Sequence, residues 1–303
     1  MTPSALTSLL VVVILAPTLP GIANRIKSAL TGRRGSPVLQ LYADLWKLWR
    51  KGVVYSTTTT LIFRLAPVVL VSTTLLAACL LPWDSSSAVM SFPGDLVAFA
   101  GLLALGRFLL VLSAMDTGSS FEGMGASREV TIAAFTEPTL MLCFTGLVLA
   151  TGQVSLQGMF GTPLAHTWSA AAPSVVLTGA GLLILSLAET CRVPVDDPLA
   201  HLELTMIHEV MVLDHSGPDL ALILYASALK MAIFGGLVVR VLSAGAALPD
   251  SAALTVLVVG LVVYAVVIGV IESGMARLKM NRIPQLLVAA STVAGFGLIL
   301  LLR

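Results

Sequence analysis

Apolar positions in this chain fall in long continuous blocks, not in the alternation of a half-buried strand or the narrow stripe of a surface helix. A helix needs about 20 mostly apolar residues to cross a hydrocarbon core. Eight such blocks are legible, near 4–23, 63–83, 94–115, 129–150, 173–191, 218–242, 253–272 and 284–302. Residues 138–188 carry no charge at all, yet 51 residues exceed one crossing. The polar patch TGQVSLQGMFGTP (151–163) and the stretch 165–173 divide them. A shorter element follows the first block. Ser36 is placed to cap it and Pro37 to open its first turn. Val38, Leu41, Tyr42, Leu45, Trp46, Leu48 and Trp49 then form a broad apolar face, with Asp44, Lys47, Arg50 and Lys51 largely opposite. At about 15 residues it is too short to span and suits the membrane surface, with tryptophan at headgroup level.

Composition agrees with a lipid solvent. Charged residues make up 11% of the chain and apolar residues 57%, against roughly 25% charged in soluble domains. Seventeen Lys+Arg balance sixteen Asp+Glu at +1, which excludes a disordered chain and lends no support to nucleic-acid binding. The expected fold is all-α, a single integral membrane domain over 1–303 with no evident internal repeat. Cys79, Cys143 and Cys191 are far apart, with no CxxC or Cys/His cluster, so neither an iron–sulfur site nor a disulfide framework is expected in this chain.

Charge also orients the spans. Arg25, Lys27, Arg33, Arg34, Lys47, Arg50 and Lys51 follow the first block; Arg128, Arg192, and Arg277 with Lys279 and Arg282 mark the third, fifth and seventh loops. The even loops are nearly free of cations. By the positive-inside rule the odd loops are cytoplasmic and both termini lie outside. The first block is no signal peptide, because its first cation comes after the apolar stretch.

Four charges lie in or at the edge of the spans without a topological reason: Arg107, Glu137, Glu189 and Lys230. A charge at such a position costs at least ~2.5 kcal/mol on insertion scales. Arg107 and Glu137 each lie eight residues from the same end of consecutive antiparallel blocks. With ~1.5 Å of rise per residue both sit about 12 Å deep, so they are expected to pair or to share a hydrated cavity. Lys230, near mid-span, must lose its proton or face an acid. Such charges either lock helix packing or carry protons. Arg240 and Glu272 stand near helix ends, where interfacial solvation accounts for them.

Two loops are rich in chemistry. The fifth, ETCRVPVDDPLAHLELTMIHEVMVLDHSGP (189–218), holds Arg192, Asp196, Asp197, Glu203, Glu209 and Asp214 with three of the four histidines. Its second half reads as a short helix starting near Pro198. His201, His208 and His215 recur every seven residues, roughly 10 Å apart along a helix axis, too far to share a metal ion; proton relay or contact with a partner is the better reading. The third loop, DTGSSFEGMGASRE (116–129), offers Asp116, Glu122, Arg128 and Glu129 among the small residues Gly118, Ser119, Gly123 and Gly125. Without a preceding strand its glycines make no nucleotide motif; they favour a backbone that moves or packs closely against another protein.

At these loops the chain resembles a known family. AETCRVPVDDP (188–198) resembles the ExxRxPxD signature of the respiratory complex I subunit 1 family. Its continuation HLELTMIHEVMVLDHSGP, together with DTGSSFEGMGASREVTIAAFTEP (116–138), is similar to the hydrogenase branch, which comprises formate hydrogenlyase subunit 4 and the membrane anchors of energy-converting group 4 nickel–iron hydrogenases. GSPVLQLYADLWKLWRK (35–51) matches the family's amphipathic helix. The resemblance implies a non-catalytic subunit of an oxidoreductase complex, with no cofactor of its own. It would dock a soluble electron-transfer arm onto the membrane and link it through buried carboxylates and lysines to an antiporter-like membrane subunit. The nickel–iron centre and iron–sulfur clusters would belong to hydrogenase large, small and iron–sulfur subunits on the cytoplasmic side of a prokaryotic plasma membrane.

Carried over residue by residue, Glu189, Arg192 and Asp196 match the signature. Glu203 and Asp214 fall at later acidic positions, Arg128 and Glu129 match the third-loop motif, and Glu137 is the buried acid of the fourth span. Arg107, Glu137, Glu189 and Lys230 form the expected charge path. Asp116, Glu122, Arg128, Glu129, Arg192, Asp196, Asp197, His201, Glu203, His208, Glu209 and Asp214 form the expected docking surface. Where quinone-using relatives carry a dense acidic run, this chain has Asp197, Pro198, Leu199, Ala200 and His201, which favours a hydrogenase partner. The alternatives are a quinone-binding complex I subunit, a purely structural anchor and a free-standing transporter.

Overall fold

The computed structural model describes residues 3–84, 87–160, 162–196, 206–245 and 250–302, the side chains of residues 250 and 251 excepted. The described residues form helices and turns with no strand. In chain order the helices are α1 (Pro3–Leu15), α2 (Thr18–Leu30), α3 (Gln40–Trp49), α4 (Leu61–Leu80), α5 (Asp95–Asp116), α6 (Ser120–Thr151), α7 (Leu156–Met159), α8 (Thr162–Glu189), α9 (Gly217–Ser243), α10 (Asp250–Gly274) and α11 (Ile283–Leu301). Seven of them are long and apolar enough to cross a membrane singly, and α1 with α2 makes an eighth crossing if the bent pair is one span.

That first span is broken, not the single helix expected over 4–23. α1 and α2 meet at 45° because Pro17 has no N–H and its ring crowds the carbonyl four residues back. In lipid a freed carbonyl needs a new donor. The Tyr225 hydroxyl donates to the Val13 carbonyl at 3.2 Å, and the Tyr42 hydroxyl donates to the Ile14 carbonyl. Tyr42 lies on α3, so the break in the first span also anchors the amphipathic helix. α3 starts at Gln40, later than the expected cap at Ser36; the Pro37 carbonyl accepts from Gln40 N at 3.0 Å instead. Trp46 and Trp49 project outward, with Arg50 stacked over the Trp46 ring at 5.2 Å.

Three further boundaries differ. The fourth span begins at Ser120, not near 129, so most of the expected third loop is helix; only Gly118, with φ 70°, turns the chain. The fifth runs from Thr162 to Glu189 and is kinked at Ala171, two residues before Pro173. Of the helix expected from near Pro198, residues 197–205 lie outside the described residues; over 206–216 the chain makes one 3-10 turn, Glu209–Val212, and no α-helix.

The helices pack α4 on α5, α8 on α11, α6 on α11, α2 on α10 and α4 on α9. Trp83, Phe63, Phe99, Phe144 and Phe234 are the largest side chains wholly enclosed. Odd and even loops collect at opposite ends. Asp116 Oδ2 accepts from Thr60 N at 2.6 Å, Tyr55 donates to Asp219 at 2.8 Å and Arg277 meets Asp196 at 3.0 Å at the basic end. Leu156 N donates to Asp95 at 2.7 Å and Arg240 to the Phe160 carbonyl at 2.7 Å at the other.

Candidate functional site

The C-terminus of α8 builds the site. Arg192 N donates to the Leu187 carbonyl at 2.8 Å and Cys191 N to the Ala188 carbonyl at 3.2 Å. These are the paired bonds of a Schellman cap, and Cys191 takes the left-handed position that such a cap requires, at φ 52°. A residue other than glycine there carries strain of order 1 kcal/mol. The turn holds Glu189 as the last helical residue and Arg192 three residues on, with the chain direction reversed between them.

Glu189 pairs with Arg107 of α5 through both carboxylate oxygens and with Lys230 of α9 at 2.7 Å. Arg107 also lies 3.4 Å from Glu129 and 3.2 Å from Glu137, both on α6. Two cations therefore share three carboxylates, a formal sum of 2 − 3 = −1. The expected Arg107–Glu137 pair is present, and Lys230 faces an acid as required. Glu129, expected on the docking surface, is buried within this cluster. Arg107, Glu129, Glu189, Cys191, His208 and Lys230, closed in by Leu70, Leu110 and Ile223 among others, line a cavity of ≈ 40 Å³, room for two or three waters.

Glu137 is not the buried acid expected of the fourth span. Its side chain is 52% exposed on the outer face of the bundle, against 3% for Glu189. Two open grooves of ≈ 240 and ≈ 280 Å³ flank the Arg107–Glu137 pair. Their walls include Ala100, Gly101 and Ala104 of α5 with Ala133 and Ala134 of α6. The central cluster thus reaches the lateral surface of the protein at mid-helix.

A second group of charges, expected as orienting cations, as a helix-end acid and, for Arg192, as part of the docking surface, is placed otherwise: Arg192 and Glu272 are buried, and Lys27 is half-buried beside them. Arg192 Nη1 is 3.4 Å from Glu272 Oε1 and 3.3 Å from Asn24 Oδ1, and its Nη2 is 3.6 Å from Met231 Sδ. Lys27 Nζ is 3.7 Å from Glu272 Oε2. Glu272 is the only charged residue between Ala252 and Gly274, the signal that marks it.

Most of the remaining loop residues bind their own chain. Glu122 is enclosed, accepting from the Thr117 hydroxyl and from Asp214 N at 3.0 Å. Asp196 accepts from Ile207 N and His208 N at 3.1 Å each, and Arg128 donates to the Met206 carbonyl at 2.9 Å. Gly125 packs so closely beneath the fifth loop that a Cβ would meet the Val210 side chain and lie 3.0 Å from the Ile207 carbonyl. The close backbone approach expected of the third loop is therefore made within this chain. Asp214 is exposed, and Asp116, Arg128, His208 and Glu209 are half-buried. Asp197, His201 and Glu203 lie outside the described residues.

His208 and His215 do not share a helix face. His208 lines the cavity, where burial pushes its ring below the usual histidine range. His215 stacks on Phe63 with centroids 3.9 Å apart, and burial lowers it to about 4. Burial, with Glu129 and Asp196 nearby, holds the Cys191 thiol well above its ordinary value. Among the described residues no three His, Cys, Asp or Glu side chains converge as metal ligands.

Comparisons with known proteins bear on this arrangement. The chain is 31% identical to formate hydrogenlyase subunit 4 of Escherichia coli K12 over 297 residues, covering 95% of this chain and 93% of that one. It is 35% identical to hydrogenase-4 component C of the same organism over 78% of this chain and 73% of that one. Chain 1 of the NADH-ubiquinone oxidoreductase of Triticum aestivum is 26% identical, over 78% and 73%. A chain in the structure of the membrane-bound sulfane sulfur reductase, an archaeal respiratory membrane complex, shares the fold at a TM-score of 0.80, with 18% identity and 98% of each chain covered. The model of the NADH dehydrogenase family matches residues 4–302, and the chain belongs to that family.

Proposed function

We propose that this chain is the membrane anchor and coupling subunit of a multi-subunit, membrane-bound nickel–iron hydrogenase in a prokaryotic plasma membrane. One observation carries the reading: a buried charge cluster begins beneath the fifth loop and ends at a half-exposed carboxylate on the lateral face. The third and fifth loops, on the cytoplasmic side, receive the hydrogenase large and small subunits and their iron–sulfur partner through Asp214, Glu209, Arg128 and Asp116. These partners supply the nickel–iron and iron–sulfur chemistry.

The lateral face, with Glu137 between walls of small residues, receives an antiporter-like membrane subunit. An ionised pair facing lipid is expensive, whereas small residues let a partner helix approach closely. A partner charge moving within ~4–6 Å shifts a carboxylate by 1–3 pKa units, so a change at the loops reaches Glu137 through Glu189 and Arg107. Purification in mild detergent, followed by metal analysis, is expected to recover nickel and iron with this chain; a stable complex lacking nickel refutes the reading. Glu137→Gln is expected to leave assembly intact and lower ion pumping per hydrogen turned over. Family membership is equally compatible with a quinone-binding complex I subunit, which loss of activity with quinone-site inhibitors would reveal.

A further inference from the structure

We propose that Lys27, Glu272 and Arg192 form a proton-uptake branch that opens at the basic-loop end and joins the central cluster from below. The inference rests on the coupling role just described and adds the entry route. Three observations carry it. First, Glu272 is wholly enclosed and its Oε2 accepts no hydrogen bond from the described residues, while the Lys27 beside it is 19% exposed. A carboxylate thus stands one side chain away from the surface. Second, the contacts are uniformly long, 3.3 to 3.7 Å, against 2.7 Å for Lys230–Glu189. Charge-assisted hydrogen bonds at full strength close to ≈ 2.7–2.9 Å, so Glu272 is held more loosely than Glu189 and is the readier of the two to exchange a proton. Third, the two groups are joined covalently at two places. Arg192 is three residues from Glu189 across the capped turn, and Met231, against Arg192, adjoins Lys230.

Tyr264 extends the branch. Its hydroxyl is enclosed near Ser186 and Arg192 and makes no hydrogen bond of normal geometry. Ser186 lies one turn of α8 before Glu189. The Glu272 carboxylate takes a proton from solvent past Lys27. That proton passes through water and the Tyr264 and Ser186 hydroxyls to the Glu189 carboxylate. Each hydroxyl gives up one proton as it receives another, and Arg192 remains charged throughout, balancing Glu272 when it is ionised.

The test uses inverted membrane vesicles carrying the assembled complex, with hydrogen evolution driven by formate or reduced ferredoxin. Proton uptake is read by acridine-dye quenching, as a ratio to hydrogen evolved. Glu272→Gln preserves shape; it is expected to leave assembly and dye-linked hydrogen evolution unchanged and to slow proton uptake about a hundredfold, the low end of what a positioned acid contributes to a proton transfer. Glu272→Asp restores part of that rate, and Lys27→Met lowers it less. A wild-type ratio in Glu272→Gln, with Glu137→Gln impaired, overturns the branch and leaves the coupling role standing. Wild-type ratios in both overturn both. If Glu272→Gln fails to assemble, Lys27→Met decides, and a wild-type ratio there overturns the branch.

Discussion

Arg107 is the residue on which the central cluster turns, and its removal has a calculable consequence. Replacing it with methionine takes the cluster from 2 − 3 = −1 to 1 − 3 = −2, leaving enclosed Glu129 without Arg107 and Glu189 paired with Lys230 alone. At an effective dielectric near 20, unit charges 4 Å apart interact by about 4 kcal/mol. Arg107 makes three contacts at or inside that distance, and the one to half-exposed Glu137 is discounted for its exposure. Part of the remainder is offset by the desolvation of Arg107 itself, so the expected destabilisation is about 3–5 kcal/mol, the range for breaking a buried pair from one side.

The double variant Arg107→Met with Glu189→Gln returns the formal sum to 1 − 2 = −1 and is expected to recover most of that loss. SDS titration of the detergent-solubilised protein, followed by tryptophan fluorescence, measures each variant. If the two single effects add within about 0.5 kcal/mol, Arg107 and Glu189 are not energetically coupled and the cluster is not a unit.

Other perturbations have equally definite outcomes. Tyr42→Phe removes the donor to the Ile14 carbonyl, a loss of about 1 kcal/mol, and faster amide hydrogen exchange confined to α3 is the expected reading. Gly125→Ala drives a methyl group into Val210 and the Ile207 carbonyl; overpacking of about 1–3 kcal/mol is expected to loosen the fifth loop, seen as protease cleavage within 206–216. His215 is held at about 4 by burial, below an ordinary value near 6.5. Between those two values the unfolded chain binds a proton that the native chain does not, so stability is full above about pH 6.5 and falls by up to about 3 kcal/mol as pH drops to 4. His215→Phe, against the same Phe63 ring, is expected to flatten that dependence in a pH series of the SDS titration.

The spans were legible because a block of apolar residues has one solution in lipid, and Arg107 with Glu137 because two charges at matching depth on antiparallel neighbours have few alternatives. The interiors of the loops were not. Glu122, Glu129 and Asp196 read as docking residues because acids in a loop ordinarily face water. Here α6 continues beyond the expected boundary, and its first turns lie under the fifth loop, so those acids satisfy backbone N–H groups or Arg107 instead. Glu272 and Lys27 were hidden by position, since charges at helix ends ordinarily need no partner. The single helix expected over 4–23 passes over Pro17, and of the two tyrosines that complete the break, Tyr225 comes from a helix 212 residues beyond the Val13 carbonyl it meets.

The exposed flank of Glu137 has a bearing on biogenesis. A newly inserted copy presents a half-open Arg107–Glu137 pair to lipid, and a charge at membrane depth carries a penalty of about 2.5–3.5 kcal/mol on insertion scales. That is a large fraction of the 5–15 kcal/mol that holds a typical protein folded. The same carboxylate that is proposed to link the cluster to a neighbour is therefore expected to make the orphan chain the least stable form of the protein. Its abundance in the cell is expected to follow the supply of the subunit that covers this face, so that surplus copies are degraded and the stoichiometry of assembly is enforced without a dedicated regulator.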